Sequence, residues 1–385
     1  MSGLNWRLHR VGLGILLTVA GTLVLPSLSG AATPQEIKAA RDAARSLPAF
    51  VSCRCTAVGF SVGRLAAEGP ETLWLAHEGG VSEVLPEGRL EPVWKTPGGA
   101  RLVRFDAADL DGDGRSEWVV LLDSGRLRSY VLRLGDSGWE RGRPFSGFLR
   151  PMWDAEGSPY LLGQRRRRTR FHDDGIHRVR QDEKQRWILG EEIAALRGLF
   201  VYDFQLVREP RPRLFVVDSE GGFSERDPSQ SSLLLWSLDR PLASRPLEVE
   251  FSGGSMFESD DTERFDFAPA LQSVDLDADG ADEILLTAGP RPIGVSFDSI
   301  RIHDGGNQLV FDLAEQGLTQ SLATPMLGLE MAASWAGDLG GELVWLGAVW
   351  TKASGGFVKP ETKLFRFDPK TGAVLAKLRV GTETP

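Results

Sequence analysis

Three features of the sequence predict an all-β chain built from repeated small sheets. The first is composition. Of 385 residues, 44 are Gly, 22 Pro and 11 Trp, and 42% are hydrophobic against 25% charged. That balance excludes wholesale disorder and, with few long helical runs, favours short strands and turns. The second is a series of short apolar runs, each preceded by a polar turn. The third is a pair of Asp-rich loops that lead directly into two of those runs.

The apolar runs begin near residues 72, 117, 159, 213, 283 and 342, at intervals of 42 to 70 residues. Thr72-Leu73-Trp74-Leu75 follows Glu68-Gly69-Pro70, and Leu343-Val344-Trp345-Leu346 follows Asp338-Leu339-Gly340-Gly341-Glu342. Gly-containing turns such as Asp123-Ser124-Gly125 come after them, and Arg126–Leu132 alternates like a returning strand. This spacing suits four-stranded blades with insertions, so the expected fold is a six- or seven-bladed β-propeller over residues 51–385. A seventh unit has room in the 213–283 interval. Residues 363–380 are expected to supply the last strands, which meet the first blade and remove exposed edges. Two β-sandwiches are the competing architecture, but no linker-like spacer divides the chain.

The N-terminus reads as an address. Arg7, His9 and Arg10 precede an apolar run from Val11 to Leu25, then Pro26 and the small residues Ser29-Gly30-Ala31-Ala32. This is the pattern of a secretory signal peptide over residues 1–31, with an apolar run short for a membrane-spanning helix. Its removal takes the formal charge from −9 to −11, because Arg7 and Arg10 are lost with it. The mature protein is then expected outside the cytoplasm, periplasmic or secreted, with no transmembrane segment. An acidic chain also disfavours nucleic acid as a partner. Over residues 32–50, Thr33-Pro34-Gln35-Glu36 reads as a cap, a Pro and a capping-box Glu, which predicts a short helix preceding the propeller. Cys53 and Cys55 follow. On an extended strand they share a face but stand too far apart to bond without distortion, so two half-buried thiols are expected, with a strained turn, an intermolecular bridge or a metal role as the alternatives.

Two loops carry the chemistry. Asp109-Leu110-Asp111-Gly112-Asp113-Gly114-Arg115-Ser116-Glu117 and Asp275-Leu276-Asp277-Ala278-Asp279-Gly280-Ala281-Asp282-Glu283 both place carboxylates at loop positions 1, 3, 5 and 9 and Gly at 6. Ca²⁺ takes six to eight oxygens, and alternating Asp residues in a tight loop converge on one point. The carbonyl of Arg115 or Ala281 offers a further oxygen. Carboxylates packed this closely repel unless a cation neutralises them. An EF-hand needs Glu at position 12, where this chain has Val120 and Leu286. The loops lead into apolar strands instead.

These residues resemble the calcium loops of FG-GAP/VCBS repeats, the family of the integrin α-chain N-terminal propeller. Its pattern is Asp-x-Asp-x-Asp-Gly-x-x-Asp/Glu followed by an apolar strand. The Phe-Gly and Gly-Ala-Pro signatures are absent, which makes the likeness one to the broader VCBS type. The resemblance implies Ca²⁺ as cofactor, bound between strands at blade ends as a structural clip.

Other signals are weaker. Gly59-Phe60-Ser61-Val62-Gly63 matches a nucleophile elbow but lacks the strand-to-helix context. The late turn Asp368-Pro369-Lys370-Thr371-Gly372 resembles a quinoprotein propeller turn and reads equally as an ordinary Pro-initiated turn. Arg165, Arg166, Arg167, Arg168 and Arg170 form a charge run that is either a solvated hairpin or an anion-binding face. Glu258, Asp260, Asp261, Glu263 and Asp266 make an acidic cluster that reads as an insertion. The expected function is an exported, calcium-stabilised binding or scaffolding module for a protein or an envelope polysaccharide. The alternative is a carbohydrate-active propeller hydrolase or lyase, for which no catalytic set is evident.

Overall fold

The computed structural model describes residues 49–153, 158–165, 175–193 and 271–289, and most of 307–352 and 361–375. It also describes the backbone of the strands between 201 and 303. All of these lie in the compact unit that runs from Ala32 to Pro385. The expected signal peptide and N-terminal helix lie outside the described residues.

The first described strand is β1 (Val51–Cys53). The first blade follows as β2 (Ala57–Gly63), β3 (Thr72–His77), β4 (Gly80–Val84) and β5 (Leu90–Lys95). The second is β6 (Arg101–Ala108), β7 (Glu117–Asp123), β8 (Leu127–Gly135) and β9 (Gly138–Arg141). The third is β10 (Gly147–Trp153), β11 (Pro159–Arg165), β12 (His177–Gln181) and β13 (Trp187–Glu192). The fourth is β14 (Val201–Val207), β15 (Arg213–Ser219), β16 (Ser231–Ser237) and β17 (Pro241–Pro246). Next come β18 (Glu250–Phe251) and a hairpin of β19 (Gly254–Phe257) with β20 (Arg264–Phe267). The fifth blade is β21 (Leu271–Val274), β22 (Glu283–Gly289), β25 (Asn307–Ala314) and β26 (Gly317–Ala323). The hairpin β23 (Pro292–Val295) with β24 (Arg301–His303) is inserted within it, and β18 pairs with the end of β22. The closing sheet is β27 (Glu330–Leu339), β28 (Glu342–Lys352) and β29 (Glu361–Phe367), with β30 (Val374–Leu375) on β29.

Every pairing is antiparallel, and each blade is an up-and-down meander. Five blades are each drawn from one stretch of chain, whereas the closing sheet is composite. Its fourth strand is β1, with Val51 opposite Leu364 and Cys53 opposite Thr362. This first described strand thereby covers the edge that the closing sheet would expose. Among the described residues the expected six or seven blades are five, with this composite sheet closing the ring: between 213 and 283 the described strands complete the fourth blade and add β18 and the β19–β20 hairpin before β21.

The cores lie between successive sheets. Phe60, Leu73 and Leu75 of the first blade pack with Val344, Leu346 and Leu364 of the closing sheet, which seals the ring. Between the first and second blades, Trp74, Phe105 and Trp118 meet edge to face, with centroids 5.1 to 6.4 Å apart. Trp139 stacks on Trp118 from the outermost strand at 3.8 Å. Aromatic pairs in these geometries add to the area they bury.

The cysteines differ from expectation. Cys53 and Cys55 form a disulfide, with Cα atoms 5.3 Å apart. The strand ends at Cys53 and the chain bends through Arg54 and Cys55. That bend brings the pair inside the bridging range, which an extended strand would not.

Candidate functional site

Both Asp-rich loops occupy the same place in the architecture. Asp109–Ser116 joins β6 to β7, and Asp275–Asp282 joins β21 to β22, each linking the first two strands of a blade. Position 9 is in each case the first residue of the second strand. Glu117 is paired with Ala108, and Glu283 with Val274, so both are fixed by the sheet.

The two loops fold alike. Glu117 Oε2 accepts the Leu110 N–H at 2.7 Å, and Glu283 Oε2 accepts the Leu276 N–H at 2.5 Å. Asp109 Oδ2 accepts from Gly114 at 2.9 Å, and Asp275 Oδ2 from Gly280 at 3.0 Å. Asp113 Oδ1 accepts from Arg115, and Asp279 Oδ1 from Ala281, both at 2.8 Å. These bonds curl the backbone round the carboxylates. Position 6 has a left-handed φ, 83° at Gly114 and 90° at Gly280. Position 4 does too, at Gly112 and, less comfortably for a residue with a Cβ, at Ala278 with φ 63°.

Leucine at position 2 anchors each loop. Leu110 packs on the core between the second and third blades, and Leu276 is buried between the fifth blade and the closing sheet. The first loop also grips the first blade. Ser116 N–H donates to Arg64 O at 2.7 Å, and Arg64 N–H donates to Ser116 Oγ at 3.1 Å. It therefore spans a junction between blades.

The carboxylates converge. One oxygen from each of Asp109, Asp111 and Glu117 lies within 4.8 Å of the others, and the same holds for Asp275, Asp277 and Asp279. These hard oxygen donors fit a divalent cation such as Ca²⁺ or Mg²⁺. Glu117 and Glu283 are buried. Burial pushes the Glu117 carboxyl above its usual range, and Asp111 and Asp113 add to the rise, while the Leu110 N–H and Arg133 oppose it. Glu283 is pushed up to about 7, by burial first and then by Asp277, Asp275 and Asp279, against the Leu276 N–H. Burial is the main cause and the crowded acids add to it, and a bound cation would favour the charged form. The first loop carries a partial substitute. Arg133 of β8 stands 3.4 Å from Asp111 Oδ2 and 3.6 Å from Glu117 Oε1. Sequence reasoning missed this residue, because its proximity arises only from the pairing of β7 with β8.

Other candidates fall elsewhere. Ser61 lies inside β2, and its Oγ accepts the Ala107 N–H at 2.9 Å, a bond that ties the first two blades. Arg165 ends β11 in solvent, while Arg166, Arg167, Arg168 and Arg170 lie outside the described residues. Of the acidic cluster, only Asp266 falls in a described strand, β20, and the other members lie outside the described residues. Asp368 caps its own turn, accepting from Lys370 and Thr371 at 2.9 and 3.0 Å.

The fold and these loops define a β-propeller with acidic groups that could bind a metal ion. No family model matches the chain, and no curated protein matches it. Among solved structures, a chain of "Crystal Structure of Mitotic Checkpoint Complex" is similar at 13% identity and TM-score 0.41, over 83% of this chain and 93% of that one. A chain of "Crystal structure of BBS1N in complex with ARL6DN, soaked with lead" is similar at 10% identity and TM-score 0.39, over 82% and 78%. Likenesses this distant add nothing to the fold, which rests on the strand pairing above.

Proposed function

We propose that this chain is an exported β-propeller, stabilised by calcium, that serves as a binding or scaffolding module for a protein or an envelope polysaccharide. The observation that carries it is the recurrence of one nine-residue loop, at one place in two blades, with three carboxylates of each close together: Asp109, Asp111 and Glu117 without Asp113 in the first, and Asp275, Asp277 and Asp279 without Glu283 in the second. Asp109, Asp111, Asp113 and Glu117, with the carbonyl of Arg115, would hold one ion. Asp275, Asp277, Asp279 and Glu283, with the carbonyl of Ala281, would hold the other. The ion supplies positive charge and no reaction. The chain's part is structural: Leu110 and Leu276 seat the loops, and Ser116 links the first loop to Arg64. Export is supported by the Arg-flanked apolar run and small residues of segment 1–31. Antiparallel blades offer broad faces of loops, which suits docking.

The test is thermal melting in Ca²⁺ and in EGTA, for wild type and for Asp111→Ala/Asp277→Ala. At a hundredfold excess of Ca²⁺ over Kd each site adds about 2.7 kcal/mol. The wild type should melt higher in Ca²⁺, and the double variant should lose most of that difference. Equal midpoints with and without chelation would remove calcium from the reading. Product release in a polysaccharide screen would replace binding with the hydrolase or lyase alternative.

A further inference from the structure

Antiparallel blades sort their connections. Those between first and second strands, and between third and fourth, emerge on one face, and the rest emerge on the other. Both Asp-rich loops are of the first kind. They put Asp109, Asp111, Asp113, Asp275, Asp277, Asp279 and Asp282 on one face. The described arginines in the connections of that face are engaged by acids: Arg64 with Glu71, Arg89 with Glu87, Arg115 with Asp113 and Arg186 with Asp182.

The opposite face is different at the junction of the second and third blades. Arg126 sits in the β7–β8 turn, Arg143 in the crossing from β9 to β10, and Arg165 at the end of β11. All three are exposed, and none makes an ion pair or side-chain hydrogen bond among the described residues. The backbone gathers them. Arg165 stands opposite Gly147, whose carbonyl accepts the Ser129 hydroxyl at 2.7 Å. Ser129 and Phe145 exchange backbone hydrogen bonds at 3.0 and 2.9 Å. Arg143 is two residues from Phe145, and Arg126 three from Ser129. The side chains around them, Ser124, Pro144 and Ser146, are exposed and small, with Gly125 and Gly142 between.

We propose that this rim docks a linear anionic polysaccharide through Arg126, Arg143 and Arg165. The inference rests on the scaffold reading above and names its ligand class. Guanidinium groups pair bidentately with sulfate and carboxylate. The acidic opposite face repels a polyanion and confines it to this one. An acidic protein would need a large desolvated anchor, and an anionic membrane would need an apolar face to insert. The described residues of the rim offer neither.

The test uses the full mature chain with heparin as the probe, alongside polyaspartate and phosphatidylglycerol vesicles. Wild type should bind heparin with an affinity that falls as salt rises. Arg126→Glu/Arg143→Glu/Arg165→Glu should bind about tenfold or more weakly, and the milder Arg→Gln triple should lie between. Arg89→Glu, on the other face, should bind like wild type. The proposal is overturned by a wild type that ignores heparin, by a triple variant that binds it unchanged, or by vesicles or polyaspartate binding in its place. Melting of each variant in Ca²⁺ and EGTA keeps the two readings apart. Calcium-dependent melting without heparin binding removes the rim alone, and heparin binding lost in the triple variant supports the rim even if calcium has no effect.

Discussion

Replacing Thr362 by Val should loosen the ring at its seam. Thr362 lies on β29 of the closing sheet and has no exposed surface. Its hydroxyl donates to the Cys55 carbonyl at 2.7 Å and accepts the Ala57 N–H at 3.3 Å. One side chain from the end of the chain thus holds both sides of the link between β1 and β2. Val keeps the shape and removes the hydroxyl, which leaves two buried backbone groups without that partner. An unsatisfied buried group costs about 1–3 kcal/mol, so the pair should cost about 2–6 kcal/mol. A ring of about 330 residues has an unfolding entropy near 0.7 kcal/mol per degree, so the midpoint should fall by about 3–9 °C. Calorimetry on wild type, Thr362→Val and Thr362→Ser reads this out. Ser restores the hydroxyl and should recover most of the loss. A Val variant within a degree of wild type, or a Ser variant that falls as far as Val, would refute the seam argument.

Three further outcomes follow from the structure. Gly63→Ala should destabilise the protein by about 1–3 kcal/mol through overpacking, because a Cβ there would lie 2.2 Å from Ser116 Oγ and 2.9 Å from the Trp74 ring; denaturant midpoints check it. Cys53→Ser/Cys55→Ser should cost only about 1.5 kcal/mol, since the bridged loop is very short, and thiol titration of the denatured wild type should find two thiols after reduction and none before. His77 is held below its ordinary value of 6.5 by burial, so its native form resists protonation. The unfolded chain then binds the proton more readily, and stability is lost as pH falls below 6.5. His77→Gln should lower the melting temperature less than wild type does between pH 8 and 5.5, and equal slopes would contradict this.

Much of the fold is legible in particular residues. The apolar runs begin near 72, 117, 159, 213, 283 and 342, and the second strands β3, β7, β11, β15, β22 and β28 begin at those residues. They are readable because a second strand is buried on both faces and so needs a continuous apolar run. The outer strands are harder to read. β9 is Gly-Trp-Glu-Arg and β18 is two residues long, too short and too polar for a periodicity signal. The acidic loops are legible because every ligand type lies within nine residues. Arg133 at the first loop is not, nor is Ser116 on Arg64, since both depend on which strand or blade lies alongside.

The disulfide marks the same division. Sequence spacing placed Cys53 and Cys55 on one face of an extended strand, and the bend at Arg54 decided that they bond. By itself the sequence determined the all-β class, the second strand of each sheet and the two carboxylate loops, because these are local patterns of apolar, Gly and Asp residues. Only the tertiary structure decided that β1 completes the last sheet, that the described strands of the 213–283 interval complete the fourth blade and add short insertions, and that Arg126, Arg143 and Arg165 gather without acid partners among the described residues. Those outcomes depend on contacts between residues far apart in the chain, such as Thr362 with Ala57, which no local pattern encodes.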